Sequence, residues 1–382
     1  MRLMRFTGTV FAVLLSFAMP DAVGAQSQGT PARAAVVMDL TSGAVLLEKN
    51  ADEALPPASM SKLMTLNLVF EALEQGLISF EDKFRVSPRA SEMGGSKMFL
   101  RKGELVAIRD LVRGVIVQSG NDAAVALAEA LAGTEEAFAE RMTQRAKVLG
   151  FENSTFANAT GWPHPAHRMS VRDLAKLAAR LITEFPQYYP MFAETEFTWD
   201  GVAQNNRNPL LSLGVGADGL KTGHTEEAGY GLAASAVRGK RRIVMVVSGL
   251  NSKAERRHEA ERLINWAFRA FETRQLYAKG EGLIDAPVWL GSSASVTLAP
   301  ERDVTVTAPF GALDRAALEV HYKGPVPAPI SEGQAIGEVV ISVPDMQPVT
   351  VPLVAKFAVA EGGFLTRVQA AGQLLLKSVD PR

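Results

Sequence analysis

Apolar residues follow a strand period at both ends of the segment from residue 33 to residue 277. Residues 34 to 47 predict a β-hairpin, because the runs AAVVMDL and AVLLE flank the turn residues Thr41-Ser42-Gly43. A second hairpin is predicted near the end of the segment, where GYGLAASAV and RRIVMVVSGL flank Arg238-Gly239-Lys240.

Between the two hairpins the apolar period becomes helical. Helices are predicted from residue 62 to 75, with Gly76 as the stop, and from residue 123 to 132, with Gly133 as the stop. Strands from both ends of the segment can share one sheet, with the helical part packed beside it. The pattern therefore predicts an α/β domain.

The pattern changes again from about residue 287 to residue 360. Short alternating runs such as SVTLA, DVTVTA, LEVHY, EVVISV and VTVPLVAKF are separated by segments rich in proline and glycine. This spacing is typical of a small all-β sandwich or barrel. We predict domains over residues 26 to 280 and 285 to 362, with the junction near the two glycines of residues 278 to 286.

The first 25 residues predict a secretory signal peptide. Arg2 and Arg5 precede an uncharged stretch that ends in Val23-Gly24-Ala25, with small residues where a signal peptidase cuts. The apolar run is shorter than the roughly 20 residues of a membrane-spanning helix. We expect cleavage before Gln26 and export to the periplasm, with a peripheral position on the outer face of the cytoplasmic membrane.

Composition narrows the possible chemistry. The chain of 382 residues has 40 basic and 41 acidic side chains, and this balance gives no electrostatic reason to expect nucleic-acid binding. It has no cysteine, which excludes disulfides, thiolate nucleophiles and cysteine-ligated metals. No cofactor or metal is predicted.

Three short motifs occur in one order along the chain: Ser59-x-x-Lys62, Ser119-x-Asn121 and Lys221-Thr222-Gly223. The first two are weak signals alone, whereas Lys-Thr-Gly is rarer and the ordered set is rarer still. Ser59 is predicted to begin a helix after Pro56-Pro57, the second motif to lie between two helices, and the third to precede the strands of the second hairpin.

A lysine is unfavourable at the positive N-terminus of a helix, so the position of Lys62 needs an explanation. One helical turn separates it from Ser59, so that the amine and the hydroxyl face the same way within hydrogen-bond reach. Burial, the helix dipole and a second lysine nearby all favour the neutral amine, which is a general base. We therefore predict that Lys62 takes the proton of a nucleophilic Ser59.

The three motifs resemble those of the penicillin-binding proteins and serine β-lactamases. Within that group, PASMSKLMT, QSGNDAA and DGLKTGHTEEAGY are similar to the low-molecular-mass D-alanyl-D-alanine carboxypeptidases. The resemblance implies the α/β fold of that group, an antiparallel sheet flanked by helices, followed by the small all-β domain. It also implies removal of the terminal D-alanine from peptidoglycan stem pentapeptides, and covalent inhibition by β-lactams.

The resemblance also implies roles for individual residues. Ser59 attacks the penultimate carbonyl group, and the backbone N–H groups of Ser59 and His224 bind the oxyanion. Ser119 relays a proton to the departing amine, and Asn121 holds Lys62 and the substrate amide. Lys221 keeps the site electropositive. Thr222, next to Gly223, binds the terminal carboxylate of the substrate together with Arg256. Arg257 is the alternative to Arg256.

Other mechanisms have less support. The sequence has five histidines: His164, His167, His224, His258 and His321. A Ser-His-Asp triad and a zinc site have little support, because no Gly-x-Ser-x-Gly motif and no helical His-x-x-x-His pair occurs. His164 and His167 are interpreted as loop residues near the edge of the site. A class A β-lactamase needs a glutamate-held water, but Asp173 is the only carboxylate between Asn153 and Thr183.

Two alternatives remain open. A D,D-endopeptidase that cuts peptidoglycan cross-links uses the same residues and ranks second. A non-catalytic wall-binding scaffold is the hypothesis from another class, and the β-rich domain alone could be a spacer or a partner-binding module.

Residues 363 to 382 predict an amphipathic helix. One helical face collects Phe364, Leu365, Val368 and Leu375, while Arg367 and Lys377 lie mostly elsewhere. Such a helix can anchor the protein at a membrane surface, as in many members of the resembled family. Packing against its own domain is the alternative interpretation.

Overall fold

The computed structural model describes residues 29–344 and 346–364. These residues divide into two compact units, one ending at Arg269 and one beginning at Ala270. The predicted signal peptide and most of the predicted C-terminal helix lie outside the described residues. Among those that are described, no helix is both long and apolar enough to span a membrane.

The first unit mixes helices and strands, as the sequence predicts. Its strands are β1 Ala34–Asp39, β2 Ala44–Lys49, β3 Lys83–Arg85, β4 Leu105–Ala107, β5 Glu196–Trp199, β6 Val202–Asn205, β7 Ala217–Thr225, β8 Gly229–Arg238 and β9 Arg241–Leu250. Its helices are α1 Lys62–Glu74, α2 Pro88–Glu92, α3 Ile108–Ile116, α4 Asn121–Ala132, α5 Glu135–Val148, α6 Val171–Thr183 and α7 Lys253–Ala270. Short 3₁₀ turns cover Ala58–Ser61, Tyr189–Ala193 and Pro209–Ser212.

One five-stranded sheet organises this unit, with the strand order β2-β1-β9-β8-β7. Every neighbouring pair in it is antiparallel, and both predicted hairpins pair within it. The strand β7 lies at the edge. The motif Lys221-Thr222-Gly223 is predicted to precede the strands, but it lies inside β7. The prediction is wrong because the buried lysine interrupts the apolar alternation that marks a strand.

Both faces of this sheet are buried. Val36 and Val246 belong to one hydrophobic cluster, which also holds side chains of α1, α4 and α6. Val37 and Val247 point to the opposite face and join a second cluster with Leu263 and other residues of α7. A sheet covered on both sides explains why its strands are apolar almost throughout rather than alternating.

The second unit is all-β apart from a 3₁₀ turn over Leu313–Arg315. Its strands are β10 Phe271–Tyr277, β11 Ile284–Trp289, β12 Ser295–Pro300, β13 Val304–Pro309, β14 Ala317–Tyr322, β15 Val326–Pro327, β16 Ala335–Ser342 and β17 Val349–Ala355. The strand β10 pairs with β13, and the others form a six-stranded sheet in the order β14-β16-β17-β12-β11-β15. Alternating residues such as Val296, Leu298, Val351 and Leu353 point into one core.

The division between the units lies ahead of the junction predicted from the sequence. Residues 271 to 277 read FETRQLY, which has too few apolar residues to stand out from the end of α7. Their hydrogen bonds to β13 place them with the second unit. The strand β10 is therefore identified by its pairing with β13 and not by its own sequence.

Candidate active site

Ser59 lies in the 3₁₀ turn Ala58–Ser61, which runs directly into α1. Ala58 has a φ of +49°, a conformation that is uncommon for a residue with a Cβ atom, so the chain bends sharply just before the serine. A Cβ atom on Gly161 would come within 1.9 Å of the Ala58 carbonyl oxygen. Glycine at position 161 is therefore what allows a neighbouring loop to close over this bend.

Lys62 is the first residue of α1 and is fully buried. Its Nζ atom lies 2.9 Å from Ser59 Oγ, 2.7 Å from Asn121 Oδ1 and 2.6 Å from the backbone oxygen of Thr160. The predicted contact between the serine and the lysine is thus present, and the asparagine of the second motif joins it.

This set of partners suits a neutral amine. A neutral lysine has two N–H donors and one lone pair, and both the Asn121 Oδ1 atom and the Thr160 carbonyl oxygen can only accept. When they take the two N–H groups, the lone pair is left for Ser59. The Ser59 hydroxyl can donate into it, which is the geometry that transfers the serine proton to the lysine.

The electrostatics favour the same protonation state. Burial, followed by the charge of Arg207, lowers the pKa of Lys62 to about 7, against the opposing effect of the carboxylates of Asp122 and Glu135. An ordinary lysine has a pKa of about 10.4, so this one titrates near the pH at which a general base works best.

The second motif lies between α3 and α4, as predicted. Ser119 is buried and has a φ of +60°, and Asn121 begins α4. The Asn121 backbone N–H donates to the Ser96 carbonyl at 2.7 Å, and Nδ2 donates to the Gly94 carbonyl at 2.8 Å. With its amide nitrogen fixed in this way, Asn121 presents its oxygen to Lys62.

The third motif lies on β7 beside the serine turn. Lys221 and Thr222 are buried, and a Cβ atom on Gly223 would lie 2.9 Å from the Pro57 carbonyl oxygen. Burial, followed by the charges of Lys62, Arg207 and Arg256, holds the pKa of Lys221 well below its usual range. The three motifs therefore converge on one site.

The structure distinguishes the two arginines proposed for a carboxylate. Arg256 is 8% exposed, and its Nη1 atom lies 3.5 Å from the Gly223 carbonyl oxygen, whereas Arg257 is exposed. The buried Nε atom of Arg256 has no hydrogen-bond partner among the described residues. A buried guanidinium with an unused donor beside β7 is suited to bind an anion.

The two histidines of the loop before α6, His164 and His167, differ in burial. His167 is buried, packs edge-on against Phe156 and accepts a weak hydrogen bond from the Ala157 N–H at 3.4 Å. Burial lowers its pKa to about 3, so it stays neutral. His164 is exposed in the same loop. The described part of the chain contains no group of three or more histidines and carboxylates that could hold a metal ion.

Asp173, the carboxylate considered in place of a β-lactamase glutamate, has a structural role. Its Oδ2 atom accepts from the Ser154 hydroxyl at 2.8 Å and from the Asn153 N–H at 3.0 Å. Both bonds fix the loop that precedes α6.

Two contributors to the site were missed in the sequence. Thr160 acts through its backbone oxygen, which has no side-chain signature, although the adjacent Gly161 could have indicated a close approach. Arg207 donates to the Ser96 hydroxyl at 2.6 Å, and its charge lowers the pKa of Lys62, Lys221 and Arg256. As one of 40 basic residues, it has no distinctive sequence context.

The Ser59 hydroxyl is hydrogen-bonded to a buried lysine whose pKa is about 7, beside a strand that carries a second buried lysine. This arrangement is that of a serine acyltransferase with lysine as the base. A family model for D-alanyl-D-alanine carboxypeptidase matches residues 21–252, and a model for the C-terminal domain of penicillin-binding protein 5 matches residues 271–361. The chain belongs to the D-alanyl-D-alanine carboxypeptidase family.

Individual relatives match over most of their length. The D-alanyl-D-alanine carboxypeptidase DacC of Escherichia coli is 38% identical over 372 residues, which cover 94% of this chain and 92% of the relative. DacF of Bacillus subtilis is 35% identical, with 92% of each chain covered.

Solved structures agree. Penicillin-binding protein 5 from Haemophilus influenzae has a TM-score of 0.83 at 35% identity, covering 88% of this chain and 100% of that one. Penicillin-binding protein D2 from Listeria monocytogenes, solved with ampicillin bound, has a TM-score of 0.58 at 32% identity, covering 63% of this chain and 99% of that one.

Proposed function

We propose that this protein is a serine-type D-Ala-D-Ala carboxypeptidase that removes the terminal D-alanine from peptidoglycan stem pentapeptides. The observation that carries the proposal is the Lys62 Nζ atom at 2.9 Å from Ser59 Oγ, with two acceptor-only partners, Asn121 Oδ1 and the Thr160 carbonyl oxygen, also within hydrogen-bond distance. Membership of the carboxypeptidase family supports the substrate.

In the first step Ser59 Oγ attacks the carbonyl carbon of the penultimate D-alanine while its proton passes to Lys62 Nζ. The backbone N–H groups of Ser59 and His224 stabilise the oxyanion, for which the close approach of β7 to the serine turn gives support. The C–N bond then breaks, and the departing amine receives a proton through Ser119. Water hydrolyses the ester and restores the Ser59 hydroxyl.

The terminal carboxylate of the substrate pairs with Thr222 and Arg256. The buried position of Arg256 beside the Gly223 carbonyl supports it over the exposed Arg257. Arg207 adds positive charge near Lys62, Lys221 and Arg256. Lys221 adds to this charge when it is protonated. Asn121 orients Lys62 and the substrate amide.

β-Lactams are proposed to acylate the same serine, because a relative of the same fold has been solved with ampicillin bound. We further propose that the protein is exported, that residues 1 to 25 are removed, and that residues 363 to 382 associate with the membrane surface. The second unit is proposed as a support or partner-binding module.

The test compares residues 26 to 382 with the Ser59→Ala variant in two assays: covalent labelling by a fluorescent penicillin, and D-alanine release from a pentapeptide ending in D-Ala-D-Ala. We expect both activities in the parent protein and neither in the variant. Labelling without release would point instead to a cross-link endopeptidase. Absence of labelling in the parent protein would overturn the acyl-enzyme proposal.

A further inference from the structure

Tyr230 lies at the start of β8 and contacts two residues of the site described above. It is paired directly across the sheet with His224 of β7. The imidazole and phenol ring centroids are 3.9 Å apart at an interplanar angle of 33°, a close contact between tilted rings.

The same phenol ring lies beside Arg256. The Arg256 guanidinium carbon is 5.7 Å from the Tyr230 ring centroid, within the range of a cation–π interaction. The other contact of Arg256 described above, to the Gly223 carbonyl, is at the 3.5 Å limit of a hydrogen bond. The aromatic face is therefore a principal support of a guanidinium that is 8% exposed.

The two rings also border open space. A cavity of about 330 Å³ is lined by His224 and Tyr230 together with Arg33, Pro56 and Gly249. A side chain that faces a cavity loses packing partners on that side, so the contacts that remain decide its orientation. For His224 the stacked phenol ring is such a contact.

We propose that Tyr230 is a positioning residue that couples recognition of the substrate carboxylate to the oxyanion site. Its ring orders Arg256, which meets the carboxylate, and His224, whose backbone N–H faces the reacting carbonyl. This inference rests on the proposed function. It assigns the coupling to the aromatic ring and not to the phenol hydroxyl.

The test uses two acylating agents that differ only in the carboxylate: benzylpenicillin and its methyl ester. The second-order rate constant for acylation of Ser59 is measured with each agent for the parent protein, Tyr230→Leu and Tyr230→Phe. We expect Tyr230→Leu to lower the rate constant for benzylpenicillin by roughly 10-fold to 100-fold, the usual effect of misplaced binding groups. The rate constant for the methyl ester should fall less, because the ester still uses the oxyanion site beside His224 but offers no carboxylate to Arg256. Tyr230→Phe should resemble the parent.

A purely structural role predicts a different result. If Tyr230→Leu lowers both rate constants by the same factor, Tyr230 does not act through Arg256, and the proposed coupling to carboxylate recognition is wrong. If Tyr230→Phe loses as much as Tyr230→Leu, the hydroxyl matters and the stacking argument fails. If the parent protein is acylated by neither agent, the proposed function itself has failed.

A second measurement reports on His224 directly. In protein labelled with ¹³C in its histidines, the His224 ring signals should carry an aromatic ring-current shift that Tyr230→Leu removes and Tyr230→Phe keeps. A His224→Ala variant assigns the signals. An unchanged His224 signal in Tyr230→Leu would contradict the stacked arrangement.

Discussion

Gly223 and Pro57 approach so closely that the strand β7 has no room for a side chain at this position. A Cβ atom at Gly223 would lie 2.9 Å from the Pro57 carbonyl oxygen and 3.1 Å from Met60 Cγ. Real Cβ atoms do not come this close to a backbone oxygen, so either β7 or the serine turn would have to move. We infer that this close approach controls how far the backbone N–H of His224 lies from Ser59.

We therefore expect Gly223→Ala to lower acylation by a penicillin by about 100-fold, since an ångström of misplacement in a catalytic site can cost that much. Overpacking of this kind also costs about 1–3 kcal/mol of stability, so acylation is measured well below the thermal transition of the variant. Gly29→Ala is the matched control, because no atom lies within 4 Å of a Cβ there. Unchanged acylation in Gly223→Ala would mean that this contact does not set the geometry of the oxyanion site.

The pKa of Lys62, lowered to about 7 by burial, predicts the pH dependence of acylation. Below that pH Lys62 is protonated and cannot accept the serine proton, so the second-order rate constant should fall about tenfold per pH unit. Above it the rate constant should level off. The measurement is the rate of penicillin labelling between about pH 5 and 9.

Lys62→Arg tests the assignment, because arginine stays protonated over the whole range and cannot act as a base. We expect acylation to be lost at every pH, because arginine keeps the protonated state that Lys62 has only below about pH 7. A profile that stays flat through pH 7 in the parent protein would show that Lys62 is not the titrating base.

The local part of the site could be predicted from the sequence. Ser59 and Lys62 are three residues apart in one turn, so their contact needs only a helical start after the two prolines. The hairpins and the helix at residues 62 to 75 follow from apolar periods. The convergence of the three motifs came from a family resemblance, because spacing alone does not bring distant segments together.

Other features depend on tertiary contacts that leave little trace in the sequence. Thr160 contributes a carbonyl oxygen, which every residue has, and its value comes from the loop that aims it at Lys62. The motif strand β7 was not recognised as a strand because Lys221 occupies an inward position, where a buried cation is costly unless function requires it. Arg207 affects the site through its charge, which lowers the pKa of Lys62 and Lys221, and its neighbours in the sequence do not indicate this effect.

The two neighbouring arginines of α7 give a matched pair of variants. Arg256 is buried beside Gly223, whereas Arg257 is exposed. Arg256→Gln should raise the KM for a peptide ending in D-Ala-D-Ala, with a loss in kcat/KM of about 10-fold to 100-fold, since a charge-assisted hydrogen bond contributes about 1.5–3 kcal/mol.

Arg257→Gln should leave the kinetics within about twofold of the parent, because exposed charges contribute little. Steady-state kinetics of D-alanine release provide the measurement for both. Equal losses in the two variants would indicate a general electrostatic effect and would remove the specific role of Arg256.

The buried neutral state of His167 predicts a loss of stability in acid. Burial lowers its folded-state pKa to about 3, while the unfolded chain protonates near the ordinary value of about 6.5. As the pH falls below about 6.5, the unfolded state binds a proton that the folded state does not, so folding becomes less favourable. At about pH 5 the cost of this one group is about 2 kcal/mol.

His167→Asn removes the titration while its side-chain oxygen can still accept from the Ala157 N–H. Urea unfolding is measured at about pH 7.5 and pH 5 for both proteins, and the parent should lose about 2 kcal/mol more than the variant. His164→Asn is the control in the same loop, because that side chain is exposed to water in the folded state. Parallel pH dependences for the parent and His167→Asn would mean that His167 binds its proton equally well in both states.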